Sequence, residues 1–131
     1  MDKRPVNPQT WLNGFHINHA MEVKNGQRVL YCAGQTSNDA SGAAMHEGDY
    51  VAQFKLAWEN LVEILTAADM GPENVVRLNF YTTDTEAFMA NAAELSQIWH
   101  DAGCTPVSTL LGVKSLFEPT TLVEIEATAV A

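Results

Sequence analysis

The stretch VEIEATAV at residues 123–130 indicates the fold most clearly, because its apolar and polar residues alternate from Val123 to Ala129. Successive side chains of a β-strand point to opposite faces of the sheet. One face of this strand is therefore apolar, and the other carries Glu124, Glu126 and Thr128. Such a strand belongs to a sheet that is covered on one side only.

The same alternation recurs upstream, at residues 75–83. Here one predicted strand face carries Val76, Leu78 and Phe80, and the opposite face carries Arg77, Asn79 and Tyr81. The segments 19–23 and 28–33 are predicted to be strands joined as a hairpin across Asn25-Gly26. A loop is predicted at 34–48, and further strands are predicted at 107–113 and 121–130.

Two amphipathic helices separate these strands. The first opens at Asp49 and ends at Gly71-Pro72, with an apolar stripe and a polar face of Gln53, Lys55, Glu59, Asn60 and Glu63. The second starts at a capping box formed by Thr83 and Glu86 and is terminated by Gly103. Two helices with one stripe each cover one sheet face, so the order ββαβαββ predicts a two-layer α+β domain.

Length and composition fit one domain spanning 1–131, with an irregular N-terminal segment at 1–13. The chain has 131 residues, of which 47% are hydrophobic, enough for a core that needs no disulfide or metal. Cys32 and Cys104 are distant in sequence, and the N-terminus lacks the apolar run of a signal peptide. The sequence therefore predicts a cytoplasmic protein without a membrane span.

The charge of the chain limits its partners. The net charge is −9, and the seven basic residues are scattered singly. Nucleic-acid binders concentrate Lys and Arg because phosphate neutralisation supplies most of their affinity. The sequence thus predicts neither nucleic-acid nor membrane partners. The polar sheet face meets either water or another subunit, and periodicity does not choose between them.

Four motifs, in this order and spacing, make the chain resemble the RidA/YjgF family: VLYCAGQ at 29–35, GPENVVR at 71–77, YTTD at 81–84 and VEIEATAV at 123–130. The resemblance implies a chorismate-mutase-like fold with a mixed sheet and two helices on one face. It also implies a homotrimer with ligand clefts between subunits. Founding members hydrolyse enamines and imines such as 2-aminoacrylate to keto acids and ammonia. We predict no cofactor and no metal site for this chain.

One family position differs in a way that bears on the substrate. The arginine that grips the substrate carboxylate in founding members is replaced by Ser108. A hydroxyl cannot form the bidentate, charge-assisted contact of a guanidinium, and that loss costs about 1.5 to 3 kcal/mol. Arg77 is the one candidate substitute, although it could instead pair with Glu124 or Glu126.

The other positions make the cleft implied by the resemblance more apolar and less cationic than that of founding members. Glu124 matches the glutamate that positions the attacking water, which makes it the candidate catalytic residue. Without the resemblance, Glu124 and Glu126 would be read as a solvated or interface-paired strand face. The candidate substrate-binding residues are Phe15, His16 (also a candidate proton donor), Ala33, Gly34, Arg77, Asn91, Ser108 and Leu110.

Two classes of function remain. The first is a hydrolase for imines or enamines that are neutral or larger than the usual small anionic ones. The second is a non-catalytic trimer that binds a small metabolite or acts as a regulatory or chaperone-like protein. A ribonuclease or translation inhibitor is disfavoured by the charge of −9. The histidines do not form a zinc-ligand pattern, Cys32 suits a core position, and Cys104 is expected to be more exposed.

Overall fold

The computed structural model describes residues 1–131 and contains six strands and three α-helices. Two 3₁₀ turns lie at Asn13–Phe15 and Pro72–Asn74. In chain order the elements are β1 (Asp2–Val6), β2 (Ala20–Lys24), β3 (Val29–Gln35), α1 (Tyr50–Ala67), β4 (Val75–Thr82), α2 (Thr85–Ala90), α3 (Ala92–Asp101), β5 (Leu110–Gly112) and β6 (Val123–Val130).

The main sheet has the strand order β3-β6-β4-β5. The terminal strand β6 lies antiparallel to both β3 and β4, whereas β5 runs parallel to β4. The sheet is therefore mixed, as expected. The alternating VEIEATAV strand takes an inner position in the sheet, which fits the fully buried apolar side chains on one of its faces.

All three helices cover the same face of this sheet. The ring of Phe80 on β4 lies 5.8 Å from Phe54 of α1, 5.2 Å from Phe88 of α2 and 5.1 Å from Trp99 of α3, between ring centroids. Phe54, Phe80 and Trp99 are almost completely buried. The two-layer α+β architecture is thus confirmed, with one apolar layer between helices and sheet.

Helix α1 begins as predicted and ends earlier. The carboxylate of Asp49 accepts a hydrogen bond from the Ala52 amide and caps the N-terminus. The helix ends at Ala67 rather than at Gly71-Pro72, because Asp69 adopts a left-handed conformation with φ 56°. The Met70 amide then donates to the Leu65 carbonyl, which closes the helix end.

The predicted second helix is two helices. Asp84, not Thr83, caps α2, since its carboxylate accepts from the Ala87 amide at 2.9 Å. The Thr83 amide donates instead to the Leu122 carbonyl. At Asn91 the chain leaves helical geometry, and the Asn91 side-chain amide donates to the Ala87 carbonyl. The prediction of one continuous helix with a Thr83 capping box was wrong.

The N-terminal predictions were also wrong in part. Residues Asp2–Val6, expected to be irregular, form β1, which pairs antiparallel with β2 in a separate two-stranded sheet. Pro5 is compatible with this sheet because both of its strands are edges. The predicted hairpin between 19–23 and 28–33 does not form. Asn25 turns the chain with φ 58°, but the Gln27 and Arg28 amides donate to the Ala131 carbonyl, and β3 then pairs with β6.

The strands β4 and β5 differ in detail from the strands predicted at 75–83 and 107–113. A register shift between Val75 and Arg77 places Val75 rather than Val76 on the buried face of β4. The strand expected at 107–113 is regular only at Leu110–Gly112, preceded by a bridge from Val107 to Arg77. Ser108 therefore lies between this bridge and β5.

Candidate functional site

Two carboxylates lie on the sheet face that the helices leave open. On β6, Glu126 is paired with Asn79 and Glu124 with Tyr81 across the β4–β6 ladder. The Tyr81 hydroxyl donates to Glu126 Oε1 at 2.9 Å, and the Asn79 amide lies at 3.4 Å from the same oxygen. Glu124 makes no hydrogen bond or ion pair within the chain, so its carboxylate is free to act on a ligand or on water.

The surroundings of Glu124 make its carboxyl group a weaker acid than an ordinary glutamate. Partial burial, followed by repulsion from the Glu126 carboxylate, raises its pKa above the ordinary value. The pKa of Tyr81 is also raised, chiefly by its hydrogen bond to Glu126. A carboxylate with a raised pKa and free lone pairs is suited to accept a proton from water.

Gly34 lies directly against this carboxylate. A Cβ atom added at Gly34 would stand 1.9 Å from Glu124 Oε1, a distance that no side chain can occupy. Ala33 and Gly34 fall in the register shift between Cys32 and Gln35, where β3 departs from β6. The structure thus brings Glu124 and Gly34 together, with the exposed Ala33 beside them.

A second group of predicted residues lies on the helix side of the sheet. Phe15, Ser108 and Leu110 line an apolar pocket of about 180 Å³. The other residues that line this pocket were not predicted to belong to a functional site. They are Ile17, Phe80, Phe88, Met89, Ala92, Ser96 and Trp99. No local sequence pattern marks the whole pocket, because its walls come from five separate segments of the chain.

His16 and Asn91 are engaged elsewhere. The His16 ring stacks on His100 with 4.0 Å between ring centroids, in a shallow depression outside the apolar pocket. The Asn91 amide caps α2. Neither side chain lines the apolar pocket. Their sequence neighbours Phe15 and Ala92 do line it.

Arg77 stands alone on the open sheet face. It pairs in register with Thr128 and forms no ion pair with Glu124 or Glu126. Its side chain does not line the apolar pocket either. The pairing of Arg77 with the β6 carboxylates within one chain was therefore wrong, and within one chain the guanidinium does not replace the missing cation near Ser108.

The two groups of candidate residues lie on opposite faces of the sheet. Leu110 is paired with Phe80, which faces the helices, whereas Glu124 is paired with Tyr81, which faces away from them. Between β6 and β5 lies β4, so the groups are also about 10 Å apart across the sheet. A single chain therefore does not combine Glu124 with the apolar pocket in one site.

Neither cysteine is suited to nucleophilic chemistry. Both are buried, and Cys104, expected to be more exposed, is fully enclosed. Burial raises the pKa of the Cys104 thiol to about 12, so at neutral pH it is not a thiolate. No three His, Cys, Asp or Glu side chains come together in the geometry of a metal site.

A larger and more polar concavity, of about 560 Å³, lies between α1 and the loop after β3. Gly34 and Gln35 form one end of it, and Glu63 and Phe117 stand at its sides. Asn60 donates to the Thr36 and Asn38 carbonyls and fixes the loop to the helix. Gly34, which lies against Glu124, is one of its lining residues, and the concavity is open to solvent.

Comparison with known proteins shows the family to which this fold belongs. The family model described as endoribonuclease L-PSP matches residues 16–131. A crystal structure of YyfB from Yersinia pestis, described as a conserved Rid family protein of unknown function, is 32% identical, covers 100% of both chains and superposes with a TM-score of 0.89. The chain belongs to the Rid/YjgF family, and the expected family fold is confirmed.

Two further relatives have more specific names. The protein called mmf2, mitochondrial, of Schizosaccharomyces pombe is 34% identical over 95 residues, which cover 69% of this chain and 68% of the relative. The crystal structure of TdcF from E. coli with bound serine is 25% identical, covers 83% of this chain and 84% of that one, and has a TM-score of 0.70. None of the helices of the present chain combines the length and apolarity that crossing a membrane requires.

Proposed function

We propose that this protein is a RidA-like hydrolase that converts an imine or enamine to a carbonyl compound and ammonia, at clefts between the subunits of a homotrimer. The observation that carries the proposal is the Glu124 carboxylate, which is free of partners, lies against the Gly34 backbone and has a raised pKa. It is the one carboxylate on the open sheet face that is not already bonded.

The reaction needs only a positioned water and one group that moves a proton. Glu124 accepts a proton from water as the water oxygen bonds to the carbon of the C=N group, and the carboxyl group passes that proton to the nitrogen, which gives a carbinolamine. The carboxylate then takes the proton of the carbinolamine hydroxyl and delivers it to the nitrogen, so that the C–N bond breaks and ammonia leaves as the carbonyl forms. General base catalysis of this kind contributes about 10²- to 10⁴-fold. No cofactor is needed.

The proposed cleft forms between subunits because the candidate residues lie on two faces of one chain. A neighbouring subunit that covers the open sheet face would place its own apolar pocket near Glu124 and Gly34. The usual small anionic 2-imino acids are poor substrates in this proposal, since Ser108 offers a hydroxyl where a carboxylate needs a cation.

The partners we propose are a small-molecule ligand and two further copies of the chain. Nucleic acid and membrane are excluded from the proposal: although the family description names an endoribonuclease, a net charge of −9 opposes binding to RNA. We propose the cytoplasm as the compartment, because both thiols are free and buried.

A non-catalytic, metabolite-binding or regulatory trimer is the alternative, favoured by serine bound to the related TdcF. Ammonia release from a panel of freshly generated imines separates the two functions. We expect acceleration over spontaneous hydrolysis by the wild type, a loss of at least about 100-fold in Glu124→Gln, and retention in the matched variant Glu126→Gln. Absence of acceleration for every imine would favour the binding protein, and equal activity of Glu124→Gln would remove Glu124 from the mechanism.

A further inference from the structure

The apolar pocket between β4, α2 and α3 indicates which part of a substrate it accepts. We propose that it holds an uncharged aromatic or branched aliphatic substituent, about the size of a phenyl ring, so that the preferred substrates are neutral imines with such a group. This inference rests on the proposed function for the reaction, but the pocket's selectivity can be measured without any reaction.

The size of the pocket matches that group. Its volume is about 180 Å³, and an engineered apolar cavity of about 150 Å³ in another protein binds benzene. Phe80 and Trp99, which are 2% and 3% exposed, form its floor. Their rings offer a flat surface for stacked or edge-to-face contact with an aromatic substituent.

The chemistry of the lining excludes charge. Ser96 and Ser108 are the only polar side chains among its lining residues. The Ser96 hydroxyl is already bonded to the Ala93 carbonyl at 3.2 Å, whereas the Ser108 hydroxyl makes no hydrogen bond. A carboxylate placed here would lose its water and gain at most one neutral donor, which is unfavourable. A neutral group with one hydrogen-bonding atom near Ser108 fits.

The mouth of the pocket is open and adaptable. Met89 and Phe15 stand at it and are 48% and 39% exposed. A methionine side chain adjusts its shape to different ligands at little cost. Entry of an apolar group therefore needs no rearrangement of the buried floor.

Binding of toluene, with benzoate as its charged counterpart, tests the pocket directly. Ala92 lines the pocket, while the neighbouring Ala93 on the same helix is exposed. The variant Ala92→Leu fills the pocket and the matched variant Ala93→Leu does not. We expect ligand-detected NMR to show toluene binding to the wild type and to Ala93→Leu, at least about tenfold weaker binding to Ala92→Leu, and weaker binding of benzoate throughout.

Two further measurements keep the test decisive. Nuclear Overhauser contacts between toluene and the Met89 methyl group locate the ligand in the wild type, whatever the stability of Ala92→Leu. Hydrolysis of the imine of phenylacetaldehyde is then compared with that of acetaldehyde, and we expect a preference of at least tenfold for the aromatic imine.

The outcomes distinguish the two proposals. Toluene binding at Met89 without hydrolysis of any imine would support the pocket's selectivity and contradict the hydrolase. Toluene that fails to bind, that binds equally to Ala92→Leu, or that binds no better than benzoate would overturn the pocket inference, even if small imines are hydrolysed.

Discussion

At the scale of single residues, the environment of Glu124 sets the pH at which the proposed reaction runs. Burial and then the Glu126 charge raise its pKa, so activity falls as the pH drops through that raised value. The Glu126→Gln variant removes the like charge and retains an oxygen that accepts from Tyr81. We therefore expect the acidic limb of the kcat/KM profile to move to lower pH. An unchanged or upward-shifted limb would contradict the assigned cause.

Because its pKa is raised in the folded state, the ionised Glu124 side chain lowers the free energy of unfolding at neutral pH. A folded-state pKa above the unfolded-state value means that the folded protein binds the proton more tightly, so stability falls as the pH rises between the two values. We expect Glu124→Gln to have a higher free energy of unfolding than the wild type at pH 7, with the difference vanishing below the unfolded-state pKa. Urea unfolding at both pH values measures this, and a destabilised variant at pH 7 would refute it.

Gly34 is required by the Glu124 carboxylate rather than by its own backbone. A Cβ there would meet only the mobile end of the Glu124 side chain, so Gly34→Ala displaces the carboxylate without disrupting the core. We expect imine hydrolysis to fall toward that of Glu124→Gln, with a melting temperature near that of the wild type. Gly14→Ala is the control, because nothing lies within 4 Å of its added Cβ; equal activity of the two variants would exclude the carboxylate contact.

Ser108 determines the charge that the cleft accepts. The Ser108→Arg variant supplies a guanidinium at the wall of a pocket whose lining residues include no cation. We expect kcat/KM for a small anionic 2-imino acid to rise about ten- to a hundredfold, and that for neutral imines to fall. Ammonia release with matched anionic and neutral imines measures the change. Unchanged values for both would mean that Ser108 lies outside the site.

At the scale of elements, the short helix α2 depends on its cap. Asp84→Ala removes the acceptor of the Ala87 amide, and we expect it to lower the free energy of unfolding by about 1 kcal/mol. Thr83→Ala serves as the control, because the Thr83 side chain makes no capping bond and only its backbone amide bonds to Leu122. Chemical denaturation of both variants measures the difference; an equal loss would contradict the Asp84 cap.

Elements with a strong local pattern were predictable, and pairings between distant segments were not. The alternation at 123–130 and the Asp49 cap are local, so β6 and the start of α1 followed from the sequence. The pairing of β3 with β6, which hydrogen bonds to Ala131 extend, joins distant segments of the chain, and no local pattern records it. Gln53, placed on the polar helix face, is instead buried because it bonds the Thr120 carbonyl and the Leu122 amide.

The candidate site divides in the same way. Motifs identified Glu124 and Gly34, which the structure brings into contact. In the apolar pocket, Phe15, Ser108 and Leu110 were identified through the family resemblance. Phe88, Met89 and Trp99 were not, because they meet those residues only after the helices have packed on the sheet. Residues that look like ordinary core positions in sequence become a pocket when the packing around them is incomplete on one side.

At the scale of the whole molecule, the open sheet face is the surface that must be explained. It carries large exposed apolar side chains, with Tyr31 80%, Val29 53% and Leu111 49% exposed. These lie beside the polar row of Glu124, Glu126 and Arg77. A face of this kind on a monomer is costly in water, whereas the proposed symmetric assembly would bury it.

The proposed trimer is tested by its mass in solution and by a substitution on the open sheet face. Each chain has a mass of 14.3 kDa, so light scattering should give about three times that value. Leu111→Glu adds a charge to a face that already carries two carboxylates, and we expect it to reduce the mass to that of one chain and to abolish hydrolysis, because Glu124 and the apolar pocket then no longer meet. Met45→Glu is the control, since Met45 is exposed in the loop after β3. A wild-type mass of one chain together with full activity would place the whole reaction within a single subunit and would contradict the cleft between subunits.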